Sequence, residues 1–540
     1  MTMTHAVSMA TASTGDCVKN AVYNQGVATP VAQTCSDANY IDTGDTAWQL
    51  TAATFVGLMS LPGLAVLYAG LVPKRWAVNT MFMAFTGFST VLVVWVMWGY
   101  KMGFGTPIGS GGAHTWTNTY AGNGGGFVGF IKDFFENFVG HPQSINAGHA
   151  QMGQATLYAN GGAFVPLQMP SSALAYFQFV FAGITPLLFL GSVLGRIKPL
   201  AWIIFVPAWC TFVYTVNAML VWGGGYWAHE GVLDYSGGYV IHLAAGVSGF
   251  VAAWVIGPRL ARDRAKWVPH SLTMVSVGAG IVWLGWNGFN GGDPYFASSD
   301  AAAAIINTNA AAAAALLTWV VLDMVLSRQK KPTFLGGING MICGLVGITP
   351  CAGYVSGSSA LWIGIIDCTV VWFAWSYLMP ITMKYVDDAS GVAYTHGLAG
   401  LTGGLLVGVF VDPSMVIYHS VGGSPITFKG VLYGHNAKQL LIQFLAALTI
   451  IIYDAIGTFI ILKIVGLITG GLRLPDEVLE LGDIGIHDEE AYPADEGFTR
   501  VDSMGAFAQA GLTGAGAGTT TATISSTSPT STTETAGDLR

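Results

Sequence analysis

Charge is what this chain has little of. Asp, Glu, Lys and Arg make up 9% of its 540 residues, against roughly 25% in an ordinary soluble domain. With 52% hydrophobic residues and a mean hydropathy of +0.55, that scarcity excludes a water-soluble globule. Basic charge is scarcer still, with 21 Lys and Arg against 29 Asp and Glu and a net charge of −8. A nucleic-acid partner is not expected. Cysteine is sparse, and its six residues have no metal-ligand spacing. Cys210, Cys343, Cys351 and Cys368 lie in or at the ends of apolar segments and read as small apolar filler. Cys17 and Cys35 stand in a polar N-terminal tail, open to a disulfide within the chain or between subunits. No Asn-x-Ser/Thr sequon occurs, so no N-glycan is expected. Residues 1–45 have neither a basic n-region nor an apolar h-region, which argues against a cleaved signal peptide.

What is present is apolar length. Eleven segments are long enough to cross a bilayer, which takes about 20 residues each. They are 47–72, 77–100, 171–195, 200–222, 236–257, 271–291, 301–326, 333–352, 358–380, 390–411 and 440–468. The expected fold is an all-α polytopic membrane protein of 11 transmembrane helices. Gly contributes 72 residues and reads mainly as close helix packing. Lys and Arg follow the odd-numbered segments, at Lys74, Arg75, Arg196, Lys198, Arg259, Arg262, Arg264, Lys266, Arg328, Lys330, Lys331 and Lys384. The loops after segments four, six and eight have none. Positive charge stays cytoplasmic, so the N-terminus is expected outside and the C-terminus inside. The long loop 101–170 is then extracellular, as is 412–439, and each carries two Lys, which long loops tolerate. The expected organisation is an extracellular tail 1–45, a transmembrane domain 46–472, an acidic cytoplasmic region 473–505 and a Ser/Thr-rich disordered tail 506–540. That tail is a candidate target for a cytoplasmic kinase or regulator.

One run raises a question. "DYSGGYVIHLAAGVSG" places His242 deep in an apolar segment, where an ionisable ring is costly. It has a counterpart. With His242 laid on His396, Gly237 meets Gly391, Ala245 meets Ala399, Gly246 meets Gly400, Ser248 meets Thr402 and Gly249 meets Gly403. One histidine is in the fifth segment and the other in the tenth, so two five-helix repeats run inverted, with a final helix added. Transporters use that architecture and place their site between the halves. Asp234 and Asp388 each precede their histidine by eight residues. At 1.5 Å per residue each ring lies about 12 Å from its own side, so both reach the middle of a core about 30 Å thick.

Three readings of the pair stand at this point. They are two satisfied core histidines, a pair of haem ligands, or the polar lining of a narrow apolar conduit. The surroundings favour the conduit. Trp222, in "VWGGGYW", fits a cation–π site worth about 0.5–2 kcal/mol, though its position alone favours an interfacial aromatic belt. Phe181 in "YFQFVFAG" and Phe289 in "GWNGFNGGD" could form a gate, though their positions alone favour core packing. Asp234 fits a helix cap more readily than a contact with a permeant.

Together these runs resemble the ammonium transporter family (Amt/Mep/Rh), over about 45–492. The resemblance is carried by "DTAWQLTAATFVGLMSLPGLAVLYAGLV", "FQFVFAG", "VWGGG" ahead of "DYSGGYVIH", "GWNGFNGGD", "THGLAGLTGG" and "LGDIGIHDEEAY". The long tails look more like fungal members, of the twin-histidine type. The resemblance implies a non-enzymatic ammonium permease of the plasma membrane, a homotrimer with one pore per subunit and no cofactor or metal. It implies an external site at Trp222, shaped by Asp234. It also implies a gate of Phe181 and Phe289, a pore lined by His242 and His396, and a further pore-region position at Gln178. Where the bacterial pattern has a site serine, this chain has Asp293. The expected permeant is ammonium, with methylammonium as analogue. The ion is recruited outside and its nitrogen conducted as ammonia, with or without a separately moved proton. An ammonium sensor, a gas channel and a haem protein are the rival functions.

Overall fold

The computed structural model describes residues 21–24, 27–30, 42–104, 154–159, 163–266, 268–415 and 427–492. Cys17, Cys35 and the 506–540 tail lie outside the described residues. Among the described residues, ten helices are long and apolar enough to cross a membrane. They are α1 (Thr43–Leu71), α2 (Lys74–Gly99), α3 (Ser171–Val193), α4 (Pro199–Glu230), α5 (Gly238–Ile256), α6 (Leu272–Gly291), α7 (Ser299–Val325), α9 (Gly357–Thr382), α10 (Ala393–Phe410) and α11 (Ala437–Ile468). Between α7 and α9 lies α8 (Phe334–Ile348), a shorter apolar helix. Segment 333–352 shortens to α8 because Cys351 and Tyr354 close turns on Ile348 and Cys351.

Short polar side chains set the helix starts. Asp42 accepts from the Asp45 amide, Ser271 from Met274, Ser298 from Ala301, Thr333 from Gly336 and Ser356 from Ser359. Each satisfies an amide that the first helical turn leaves without an intrahelical partner. The spans are not uniform α-helix. Pro62 sits in a π-turn of α1, Met59–Leu64, and a π-turn Cys210–Tyr214 follows Pro207 in α4. Proline has no N–H to donate and crowds the preceding turn, so the ladder widens nearby. Helix α4 also breaks after Val221, and the short helix Tyr226–Glu230 completes it.

The inverted repeat is visible in backbone detail. Both histidines lie in six-residue π-turns, Gly238–Leu243 at the head of α5 and Ala393–Leu398 at the head of α10. Left-handed glycines lead into both, Gly237 at φ 108° and Gly391 at φ 68°. Helices α5 and α10 then cross at glycine. A Cβ on Gly246 would stand 2.1 Å from the Gly397 Cα. Only bare backbone permits that approach.

Antiparallel strands β1 (Ala21–Asn24) and β2 (Val27–Pro30) form one hairpin. Another, β3 (Gln154–Ala159) with β4 (Ala163–Pro170), leads directly into α3. At the opposite end of the bundle the chain beyond α11 straps the basic loops. Lys198 caps the last carbonyls of α11, at Thr469 and Gly470. Arg259 and Asp387 form a buried bidentate pair at 3.0 and 2.6 Å. Arg75 pairs with Asp263, and Arg262 with Glu480. Two short helices follow, α12 (Asp476–Leu481) and α13 (Asp483–His487). Asp483 accepts from the Val78 and Asn79 amides at the head of α2, at 2.9 and 2.8 Å. Burial nevertheless pushes its carboxyl up to about 6, against the pull of those amides.

Candidate functional site

The break in α4, the π-turns heading α5 and α10, and the ring-bearing faces of α3 and α6 converge on one line of rings. It starts at Trp222, where α4 ends its continuous helix. The Trp222 indole donates to the Asp234 carbonyl at 2.8 Å, and its ring meets Phe181 edge-on with centroids 6.4 Å apart. Phe104 stacks on it at 6.5 Å.

Asp234 is a helix cap in full. Its carboxylate accepts from the amides of Gly237, Gly238, Tyr239 and Val240, at 3.0, 2.6, 2.9 and 3.1 Å. Those are the amides that a helix start leaves bare, and the anion also suits the helix dipole. With four donors on two oxygens, Asp234 spends its charge on holding α5.

Below Trp222 the passage is shut. Phe181 on α3 and Phe289 on α6 stack with centroids 4.3 Å apart and planes 28° apart, and both are fully buried. The next ring is His242, 5.8 Å from Phe289 and 5.3 Å from Trp286. His396 follows at 5.3 Å, with planes 22° apart. The two Nδ1 atoms stand 3.2 Å apart, so the contact needs one proton on one nitrogen and a lone pair on the other. Two imidazolium rings would face donor to donor there. An iron held between these two Nδ1 atoms would need two bonds of about 2 Å, as imidazole forms with metals, so none fits between them at this distance. The His242 Nε2 has no hydrogen-bond partner. It is a buried polar atom left over for something that the protein does not supply. Past His396 opens a cavity of about 50 Å³, lined among others by Tyr68, Asn339, Ser390, Thr395 and His396.

Gln178 and Asp293 stand beside the gate in a polar cluster. The Gln178 Nε2 donates to the Tyr295 hydroxyl at 3.0 Å, and that hydroxyl donates to Asp293 Oδ1 at 3.1 Å. Asp293 Oδ2 contacts the Ser236 hydroxyl, which also lies 2.8 Å from the Phe289 carbonyl. Of the eight residues singled out in the sequence, Trp222, Phe181, Phe289, His242 and His396 form the column of rings, and Asp234, Gln178 and Asp293 flank it. Sequence reasoning missed four neighbours, namely Phe177, Ser236, Trp286 and Tyr295. Trp286 had a signal in its helical spacing, three residues before Phe289 on one face of α6. Ser236 and Tyr295 had none, since nothing in a sequence of turns shows that the two turns meet.

The profile of the Ammonium Transporter Family matches residues 47–492. Ammonium transporter 3 member 2 of Oryza sativa subsp. japonica is 41% identical over 464 residues, covering 85% of this chain and 91% of its own. Ammonium transporter 2 of Arabidopsis thaliana is 42% identical over 456 residues, covering 84% and 89%. Among solved structures, Saccharomyces cerevisiae Mep2 superposes with a TM-score of 0.66 at 29% identity, covering 82% of this chain and 90% of its own. The chain belongs to the Ammonium Transporter Family.

Proposed function

We propose that this protein carries ammonium nitrogen across the plasma membrane as ammonia. Trp222 marks the external mouth and the strapped, basic end faces the cytoplasm. The carrying observation is the single file of rings from Trp222 through Phe181, Phe289 and His242 to His396, with a small cavity at its far end.

Ammonium is protonated in water at neutral pH, like the Lys head group. Moving the intact ion through a column of buried rings incurs a desolvation cost of several kcal/mol. The indole face of Trp222 offsets part of it at the mouth by cation–π attraction. A low-dielectric surround then favours loss of a proton and leaves ammonia, small and neutral enough to pass when the phenyl rings of Phe181 and Phe289 part. Beyond the gate ammonia needs hydrogen-bond partners in an apolar tube. The spare Nε2 of His242 is one, and the hydrogen bond between the two Nδ1 atoms requires that at least one ring of the pair be neutral. The assembly that fits this reading is a homotrimer with a separate pore in each subunit.

The test is growth of a transport-deficient host on low ammonium, with labelled methylammonium uptake measured alongside. The chain is expected to restore both. His242→Ala should reach the membrane in normal amount yet lower uptake about tenfold, the scale of losing one hydrogen bond in transit, or admit potassium. Wild-type uptake with potassium still excluded in that variant would remove His242 from the pore.

A further inference from the structure

The contacts of Ser236 do not balance unless Asp293 carries a proton. Ser236 is fully buried between the head of α5 and the end of α6. Its oxygen lies 2.8 Å from the Phe289 carbonyl and within hydrogen-bond reach of Asp293 Oδ2. A serine hydroxyl has one proton, a backbone carbonyl can only accept, and an ionised carboxylate can only accept. If Asp293 were ionised, one of the two contacts would set lone pair against lone pair in a site without bulk water. The third corner closes the count. The Tyr295 hydroxyl accepts from Gln178 Nε2 and gives its own proton to Asp293 Oδ1, so the Asp293 proton belongs on Oδ2. Asp293 itself is 2% exposed. The carboxylate already present nearby, that of Asp234 two residues from Ser236, is held by four amides, and a second bare charge beside it would be repelled.

We propose that Asp293 is a positioning residue that works as a neutral acid. Its Oδ2 proton goes to Ser236, the Ser236 proton goes to the Phe289 carbonyl, and this relay pins the gate-bearing turn of α6 to the first turn of α5. No bond to carbon changes and no charge is created. The relay tethers the Phe289 backbone to the loop that starts the His242 helix, so the gate ring and the first pore histidine are set by one hydrogen-bonded unit. The mouth then recruits its cation with aromatic faces and neutral oxygens, including the unpartnered Oε1 of Gln178, and not with a carboxylate. This rests on the transport reading for its purpose, though not for its chemistry.

Infrared difference spectroscopy on purified protein tests it. Subtracting the Asp293→Asn spectrum from wild type at neutral pH should leave the carbonyl stretch of a protonated carboxyl, shifted by deuterium exchange. A difference band of ionised carboxylate would overturn the proposal. Ser236→Ala gives a second reading in which Asp293 remains. The same carboxylic band should move to the position of an acid that donates no hydrogen bond, and an unmoved band would overturn the pairing. In uptake assays Asn, which matches the neutral acid in shape and can donate to Ser236, should stay within about twofold of wild type, whereas Asp293→Ala should fall about tenfold. An Asn variant as impaired as the Ala variant would show that a negative charge is required, against the proposal. Wild-type protein that fails to transport, yet shows the carboxylic band, would sink the transport reading and leave the neutral acid standing.

Discussion

Phe181 and His242 differ in what each side chain leaves unsatisfied. The Phe181 side chain meets the rings of Phe177, Trp222 and Phe289 and has no polar atom with which to hold a solute. His242 is stacked between rings yet keeps one nitrogen without a partner, so it can hold ammonia in transit. Phe181→Ala should therefore widen the passage without removing the pore's hydrogen bonding. The expected result is that methylammonium uptake persists while ammonium-evoked conductance admits other small cations, read by ion-substitution recordings. Selectivity unchanged in that variant would mean that Phe289 and the histidines gate alone. At this scale much was legible in the sequence. His242, His396, Trp222 and Asp234 stand out chemically against apolar runs, whereas Phe181 and Phe289 were singled out only through the family resemblance. Ser236 and Tyr295 were not, because a hydroxyl in a turn is unremarked until its partner is known. Asp293 stood out only as a departure from the bacterial serine, and the proton proposed for it depends on Ser236 and Tyr295, which the sequence does not bring together.

Helices α5 and α10 carry the repeat, and their meeting point decides whether the histidines can touch. Each head is a π-turn, which rotates the histidine relative to a regular α-helix and points both rings along one axis. The crossing then depends on Gly246 against Gly397, where an added Cβ would lie inside the opposing backbone. Gly246→Ala should force the helices apart and cost about 1–3 kcal/mol of stability by overpacking. It should also lengthen the Nδ1–Nδ1 contact, so transport falls in protein that still inserts. Thermal unfolding in detergent and uptake together check it, and wild-type values of both would mean that the helices have slack here. The spacing of eight residues from aspartate to histidine, repeated, foretold that the rings lie at one depth. It could not foretell the π-turns, because a widened turn is a response to packing and has no residue signature of its own beyond a nearby proline or glycine.

Across the whole molecule the two ends are built differently. One end carries the aromatic mouth. The other gathers the basic residues and the C-terminal strap, with Arg259–Asp387 as its most buried ion pair. Burial alone would push Asp387 up, but hydrogen bonds and charge from Arg259, helped by Arg196, outweigh it and hold the carboxyl below its ordinary range. A depressed carboxyl contributes stability that is fully present above its unfolded value, near 4, and is lost as pH falls through its folded value. Arg259→Ala leaves a buried charge unpaired and should cost about 3–5 kcal/mol at neutral pH. The deficit relative to wild type should shrink as the medium is acidified below about pH 4, followed by thermal unfolding across a pH series. A deficit independent of pH would mean that Arg259 matters through packing alone. The spacing of Lys and Arg along the chain had already grouped these loops on one side. The strap was legible only as an acidic segment, since Asp483 capping α2 joins residues some four hundred positions apart.

The central claim is that ammonia passes along the His242–His396 pair. The most direct measurement is flux into liposomes containing only the purified protein, with an ammonium pulse outside and a pH-sensitive dye and membrane potential read inside. Wild type is predicted to raise ammonium-driven flux well above empty liposomes, and His242→Ala with His396→Ala to abolish it or make it potassium-permeable. Flux equal to that of empty liposomes, or unchanged in the double variant, would contradict the account.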